Sequence, residues 1–367
     1  MVHPLRLLLP PLALLTLPLA GEPVIYRHGP PAPPSLPTVE KDPEPVKVTP
    51  LPLTLSGLDR DDTARLQIFL DEARFGPGVI DGRSGQFTRL AVDAWNEFHG
   101  HPSDGIAPSL TAAREQLPHP FALTFVPECA AEWVDPTLPG ASDRAAQAER
   151  KRMSYRSFAE FMAERYHTDV QFLTELNGQE KIDDLVPRDA LLVPNVRAFR
   201  IEILTGARYE EQEALSKRHL VIDTRIHQMR IYEAAPQALI VSKEGTVIPA
   251  ANRALIASFP ITRGKSKFVK LGHFKMINCL EFPHWRYDQQ LLETGTRSDD
   301  ALVIPPGPNS PVGVLWAGLS KPGIGLHGTS SPHTIGRSRS AGCIRLANWD
   351  AVRLPTLVRP GATVEIR

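Results

Sequence analysis

Cysteine is scarce in this 367-residue chain: there are three, at positions 129, 279 and 343, and no C-x-x-C pair. That scarcity excludes a disulfide scaffold and a zinc ribbon. Neither sign of charge is in excess, because 41 Lys+Arg stand against 41 Asp+Glu. A global electrostatic grip on nucleic acid or on an anionic membrane is therefore excluded. Also missing is any apolar run of roughly 20 residues, the length that crosses a bilayer. Proline is the surplus, with 36 residues, about twice its usual share. Hydrophobic residues make up 42%, enough for packed cores, and the length implies two or three domains.

The prolines gather at the front. Met1 and Arg6 precede an apolar run from Leu7 to Ala20, about the length of a signal-peptide core. Small residues at Ala20 and Gly21 suit cleavage, so residues 1–20 read as a signal peptide. Pro10, Pro11 and Pro18 are atypical of such a core, and a disordered apolar N-terminus is the alternative. No cysteine follows the run, which excludes lipid anchoring through one. From Gly21 to Leu53 there are ten prolines in 33 residues, too many for a helix or a sheet. Residues 21–56 read as an extended linker, with a Pro-rich ligand for a partner domain as the other reading.

Three segments then carry folded patterns. In residues 57–117, Leu66, Phe69 and Leu70 share one helical face, and Phe87, Ala91, Ala94, Trp95 and Phe98 another. Between them runs the turn-rich stretch Gly76 to Gly85. Residues 118–152, with Pro, Gly and a charged run from Arg144 to Arg152, read as a connector. Residues 153–196 place Phe158, Phe161 and Met162 on one stripe, and Val170, Phe172, Leu173 and Leu176 on a second. Asn177-Gly178 follows, and Leu191 to Pro194 closes the segment as a strand. Residues 217–367 open with alternating strands at 219–223, 228–232 and 256–261 and end on a strand at 361–366, with Pro355 breaking a late helix near 348–354. Frequent Gly/Pro/Asn turns and no long helical pattern point to an antiparallel β sandwich or barrel.

The third segment also carries the chemistry. Gly325-Leu326-His327-Gly328-Thr329 is followed by Ser338-Arg339-Ser340-Ala341-Gly342-Cys343-Ile344-Arg345-Leu346, with His327 and Cys343 separated by 16 positions. Two adjacent strands joined by such a loop can bring imidazole and thiol together, and a thiol needs a base to become a good nucleophile. Arg337, Arg339, Arg345 and Arg353 against Asp350 give local positive charge, which favours a thiolate and a carboxylate-bearing substrate. Gly342 allows its own N–H and that of Cys343 to turn inward as an oxyanion hole, and Gly328 permits close approach of a substrate chain. Cys129 and Cys279 read as inert buried thiols, with mutual pairing as the alternative in an exported protein. His333 beside Cys343 lacks the further ligands of a metal site. His119, His167 and His227 read as surface or structural residues. A papain-like arrangement is excluded because its cysteine precedes its histidine.

The His-Gly-Thr and Ser-x-Gly-Cys-Ile-Arg phrases, with Ile304 to Gly313, Trp316 and Leu319 upstream, resemble the L,D-transpeptidase catalytic domain of bacterial cell walls. The resemblance spans roughly 150 residues. It implies a β sandwich in which Cys343 attacks a peptidoglycan stem peptide and His327 is the general base. Ser340, Gly342 and Gly328 would shape the site, Arg345 and Thr329 would bind substrate, and no cofactor or metal would be needed. The partner is peptidoglycan, as stem donor, stem acceptor and glycan strand, and nucleic acid is not one. Residues 57–117 resemble a small α-helical peptidoglycan-binding module, on Gly78-x-x-Asp81-Gly82-x-x-Gly85 and Thr88. Residues 153–196 resemble an α+β lysin motif in which Tyr155-Arg156-Ser157 replaces the usual Gly-Asp-Thr. The expected location is outside the cytoplasm, in periplasm or cell wall, with a membrane tether if the signal stays uncleaved.

Two positions depart from the family pattern. Ala341 stands where a histidine usually precedes Gly-Cys, and Val269 to Phe274 replaces the common Thr-Pro-x-Gly. One base suffices for the chemistry, so Ala341 reads as tuning, and the second departure bears on the substrate groove. The alternatives are an L,D-carboxypeptidase or cross-link hydrolase, and a wall-binding protein without catalysis. An acyl-accepting thiol at Cys343 should also open carbapenem rings.

Overall fold

Buried Gln67 organises the turn-rich loop of the first segment. Its amide oxygen accepts from the N–H groups of Asp81 and Gly82, and its amide nitrogen donates to Asp81 Oδ1, Arg83 O and Thr88 Oγ1. Gly82 must be glycine, since its φ is +66° and a Cβ would meet the Arg60 side chain at 2.7 Å. The loop joins α1 (Arg60–Glu72) to α2 (Gln86–His99), and α3 (Ala107–Gln116) completes the segment. Ala91, Ala94 and Trp95 are buried as the spacing predicts, whereas Phe98 is exposed.

The computed structural model describes residues 54–103, 105–233, 240–241, 247–248, 254–264, 270–290, 298–337 and 343–367. The expected signal peptide, nearly all of the Pro-rich linker, and Val269, Ser340, Ala341 and Gly342 lie outside the described residues.

The stretch read as a connector contributes a strand. β1 (Phe121–Phe125) pairs antiparallel with β2 (Ala190–Pro194), Phe121 opposite Pro194. Between them come α4 (Arg144–Ala148), α5 (Phe158–Arg165), α6 (Val170–Asn177) and α7 (Gln179–Asp183). Ser157, in the altered turn, caps α5 by accepting from Glu160 N at 3.1 Å. Asn177 ties the end of α6 to β2 by bonding both the N–H and the C=O of Leu192. The connector escaped notice because β1 and β2 stand far apart in sequence, with residues 126–156 inserted after β1.

The remaining elements are α8 (Glu213–Ser216), β3 (His219–Asp223), β4 (Gln228–Tyr232), the small hairpin of β5 (Ile240–Val241) and β6 (Val247–Ile248), β7 (Leu255–Pro260), β8 (Gly272–Glu281), β9 (Trp285–Tyr287), β10 (Leu302–Ile304), β11 (Leu315–Leu319), β12 (Gly325–His327), β13 (Ile344–Arg345), α9 (Asn348–Ala351), α10 (Leu354–Leu357) and β14 (Thr363–Ile366). Pro355 sits in the first turn of α10, so it begins a second short helix where a simple break was expected.

An antiparallel sandwich or barrel was expected, and the main sheet is one curled sheet, nearer the barrel than two facing sheets. Its eight strands run in the order β13-β12-β11-β8-β14-β3-β4-β7. Two neighbouring pairs are parallel, β12 with β13 and β14 with β3. The two ends meet: Thr262, just beyond β7, exchanges both backbone hydrogen bonds with Arg345 of β13, at 2.9 and 3.0 Å. Leu220, Met229 and Phe259 from one half of the strand order thereby share a core with Ala317, Leu326 and Ile344 from the other. Composition and turn spacing reveal short strands but not such long-range pairing.

Residues 51–367 form one unit. Phe75 bridges to Ser258 beside β7, and the loop's Gly76 N–H donates to Ser258 O at 2.8 Å, which covers that strand's edge. Trp349 of α9 is packed in a cluster with Phe161 and Leu173 of the lysin-motif-like segment. Where the three segments meet, Arg353 and His167 both bond the buried carboxylate of Asp71, at 2.6 and 2.9 Å. Arg353 also reaches Asp350 at 3.3 Å, and the His167 ring stacks on Trp349.

Candidate active site

His327 closes β12 between two neighbours. Trp316 of β11 lies opposite it on the antiparallel side and Arg345 of β13 on the parallel side. Strand alternation sends Ala317, Leu326 and Ile344 into the core, and Trp316, His327 and Arg345 to the other face. Cys343 immediately precedes β13, level with Gly325 in the same parallel register. Leu346 N donates to His327 O at 2.8 Å, and Thr262 holds Arg345 from the far side. The pairing of β12 with β13 therefore brings the histidine and the cysteine, 16 positions apart, to one strand pair.

The imidazole orientation is fixed by one hydrogen bond. His327 Nδ1 lies 2.6 Å from Gly328 O. A carbonyl only accepts, so the proton resides on Nδ1 and Nε2 keeps its lone pair. The Trp316 indole stacks on the ring at 5.8 Å and 16°. Trp316 in turn needs Gly325 to be bare, since a Cβ there would come within 2.5 Å of the indole.

The Cys343 thiol is partly exposed and donates to Gly323 O at 3.5 Å, while the Gly325 N–H faces the sulfur. Burial pushes the thiol above its ordinary value, against the pull of Gly325 and of the Arg345 charge. Burial also lowers His327 to about 4, and Arg345 adds to the lowering. At neutral pH both groups are uncharged. Of the positive surroundings read from the sequence, Arg339 lies outside the described residues. Arg353 is engaged by Asp71 and Asp350, and Arg337 is exposed. Arg345 does reach Cys343, but burial outweighs it.

The other expected site residues divide. Arg345 stands beside the pair, and its buried Nε has no hydrogen-bond partner among the described residues. Thr329 is buried, its hydroxyl accepting from Ser331 N, which makes it part of the turn after β12. Gly328 has no room for a side chain. A Cβ on it would lie 2.0 Å from Asn348 Oδ1, so its bareness accommodates Asn348. Ser340 and Gly342 lie outside the described residues. Cys129 and Cys279 form no disulfide, and burial pushes Cys279 up to about 12. His333 is exposed, and His167 is buried in the interface.

Asn348 and Trp316 escaped the sequence reading as site residues. The pairing of small residues against them (Gly313 and Gly328 around Asn348, Gly325 under Trp316) was the available signal, and it is legible only once contacts are known.

Residues 236–366 match the family model described as the L,D-transpeptidase catalytic domain, YkuD. A Bacillus subtilis protein bearing the L,D-transpeptidase name YkuD is 44% identical over 59 residues, which cover 16% of this chain and 36% of that protein. An L,D-transpeptidase of Fuscovulum blasticum, named for the ATP synthase subunits region, is 31% identical over 115 residues, covering 31% of this chain and 58% of that one. The chain thus spans between about a third and three fifths of these relatives. Among solved structures, an L,D-transpeptidase from Mycobacterium smegmatis matches with a TM-score of 0.30 and 15% identity, over 41% of this chain and 58% of that one. L,D-transpeptidase 3 from Mycobacterium tuberculosis matches with a TM-score of 0.28 and 13% identity, over 50% and 76%. The family match takes in β12, β13 and both members of the His–Cys pair: residues 236–366 are an L,D-transpeptidase catalytic domain.

Proposed function

We propose that the protein is an exported cysteine acyltransferase that cross-links peptidoglycan. Support comes from the parallel register that sets His327 and Cys343 on one strand pair, with Nδ1 committed to Gly328 O and Nε2 left to act as a base. In this reading the Cys343 sulfur attacks the carbonyl of the third stem residue while Nε2 takes its proton. The oxyanion rests against the Gly342 and Cys343 N–H groups, with Ser340 shaping the loop. Collapse breaks the bond to the terminal D-alanine, whose amine leaves with the proton held by His327. An amine of a second stem then attacks the thioester, His327 takes that amine's proton, and it returns a proton to the thiolate.

The His327–Cys343 pair is neutral at rest, so ionisation accompanies substrate attack. A buried, weakly basic imidazole and a raised thiol favour concerted transfer over a standing ion pair. Arg345, a partly desolvated cation beside the sulfur, suits a stem carboxylate. The helical and lysin-motif-like segments would hold the enzyme to glycan, with Thr329 and Gly328 supporting the loop after the base.

The test is cross-link formation by the purified protein from stem tetrapeptide. Cys343→Ala should lower it by about 10³-fold or more, and cross-links that persist unchanged would defeat the reading. Muropeptide analysis with and without an added acceptor amine separates transfer from hydrolysis, since a hydrolase releases D-alanine whether or not acceptor is present.

A further inference from the structure

We infer that Asn348 and Glu164 together form a positioning relay for His327, so that the lysin-motif-like segment sets the orientation of the catalytic base. The inference deepens the acyltransferase reading and rests on it for its consequence in turnover.

The relay begins at the base. The His327 ring is oriented by Gly328 O, so the placement of the Gly328 peptide fixes where Nε2 points. Gly328 N donates to Leu315 O at 3.1 Å, which anchors one side of that peptide. The other side is packed by Asn348 Oδ1, close enough that neither Gly328 nor Gly313 has room for a Cβ. The same oxygen accepts from Val314 N at 3.2 Å. Asn348 is therefore wedged between the strand entering β11 and the residue leaving β12, completely buried.

What holds Asn348 in that wedge comes from elsewhere in the chain. Its amide nitrogen donates to Glu164 Oε1 at 2.8 Å and to Pro308 O at 3.3 Å. Glu164 lies on α5, 184 positions away in sequence, and its other oxygen accepts from Tyr155 OH at 2.5 Å. An amide whose donor and acceptor ends are both engaged cannot flip without losing bonds at both, and burial makes each loss costly. Burial also raises Glu164 to about 8, so the group is a neutral acid at working pH. A glutamine of the same shape can then replace it, offering the same carbonyl to Asn348, whereas leucine cannot.

A purely structural contact would affect stability alone. A positioning relay affects where the imidazole points, and misplacement of a catalytic group by about 1 Å costs on the order of 10²-fold in rate. The contacts of Tyr155, Glu164 and Asn348 run alongside a hydrophobic cluster in which Val314, Ala347 and Trp349, flanking the catalytic strands, pack with Phe161 and Met162 of α5.

The test uses the full chain carrying Glu164→Leu, Glu164→Gln or Asn348→Ala. The first readout is the imidazole nitrogen chemical shifts of His327, which report the tautomer and need no substrate. The second is the rate constant for acylation of Cys343 by stem tetrapeptide. Wild type should show the Nδ1–H tautomer. Glu164→Leu and Asn348→Ala should lose its uniform population and slow acylation by about 10- to 100-fold at saturating peptide, while Glu164→Gln restores both. An unchanged tautomer and rate in a folded Glu164→Leu protein would overturn the relay. So would a Glu164→Gln protein as impaired as the leucine variant. If wild type fails to react with the peptide, the acyltransferase reading falls, while the tautomer measurement still decides the relay.

Discussion

The Asp71–His167–Arg353–Asp350 node and the His327–Cys343 pair are both withdrawn from water, with opposite consequences. In the node, the Arg353 guanidinium and His167 contact Asp71 directly and hold its carboxyl far below the usual range despite complete burial. Asp350 shares the same arginine less closely, keeps one carboxyl oxygen without a hydrogen-bond partner among the described residues, and is pushed upward by burial. In the pair, among the described residues, no anion faces the imidazole and one partly desolvated arginine faces the sulfur, so burial drives both toward their neutral forms. The contrast shows that burial removes charge unless contacts outweigh it: Asp71, bonded by both Arg353 and His167, stays charged, whereas burial pushes His167 itself toward its neutral form despite Asp71. The node uses retained charge to join the three segments. The pair stays uncharged and therefore ready to exchange a proton.

The comparison can be broken from either side. Replacing His327 by Gln removes the base and should slow acyl transfer by roughly 10²–10⁴-fold, with the urea midpoint nearly unchanged, because no charged partner is orphaned. A midpoint that collapsed with the activity would mean that the imidazole is a structural member after all. Arg353→Met does the reverse. It leaves Asp71 ionised and buried with only His167 beside it, and should cost about 3 kcal/mol of unfolding free energy. Urea titration measures that loss directly, and a variant as stable as wild type would show that the node is not what fixes Asp71.

Much of the site was legible in the chain because the residues that define it lie on two short phrases, around His327 and Cys343. What those phrases could not convey is the charge state, because desolvation depends on the surrounding packing, and Arg353 was spoken for by an aspartate 282 positions away. Gly328 illustrates the same limit. Its glycine was visible, but the packing of Asn348 against it was not, because no local pattern announces that contact. The strands at 219–223 and 228–232 follow directly from alternation. The closure of the sheet through Thr262 and Arg345 does not, and neither does β1, whose partner strand lies beyond an inserted stretch. Local patterns located the elements, while long-range pairing set their order.

Cys343 remains a neutral thiol at rest and ionises only as His327 receives its proton. Thiolate absorbance near 240 nm, taken as the difference between wild type and Cys343→Ala across pH 5–9, tests it most directly. A neutral pair predicts no Cys343-dependent absorbance through neutral pH and a rise only above the ordinary thiol range. A thiolate signal that titrates in below pH 7 would instead reveal a standing thiolate–imidazolium pair and contradict the account.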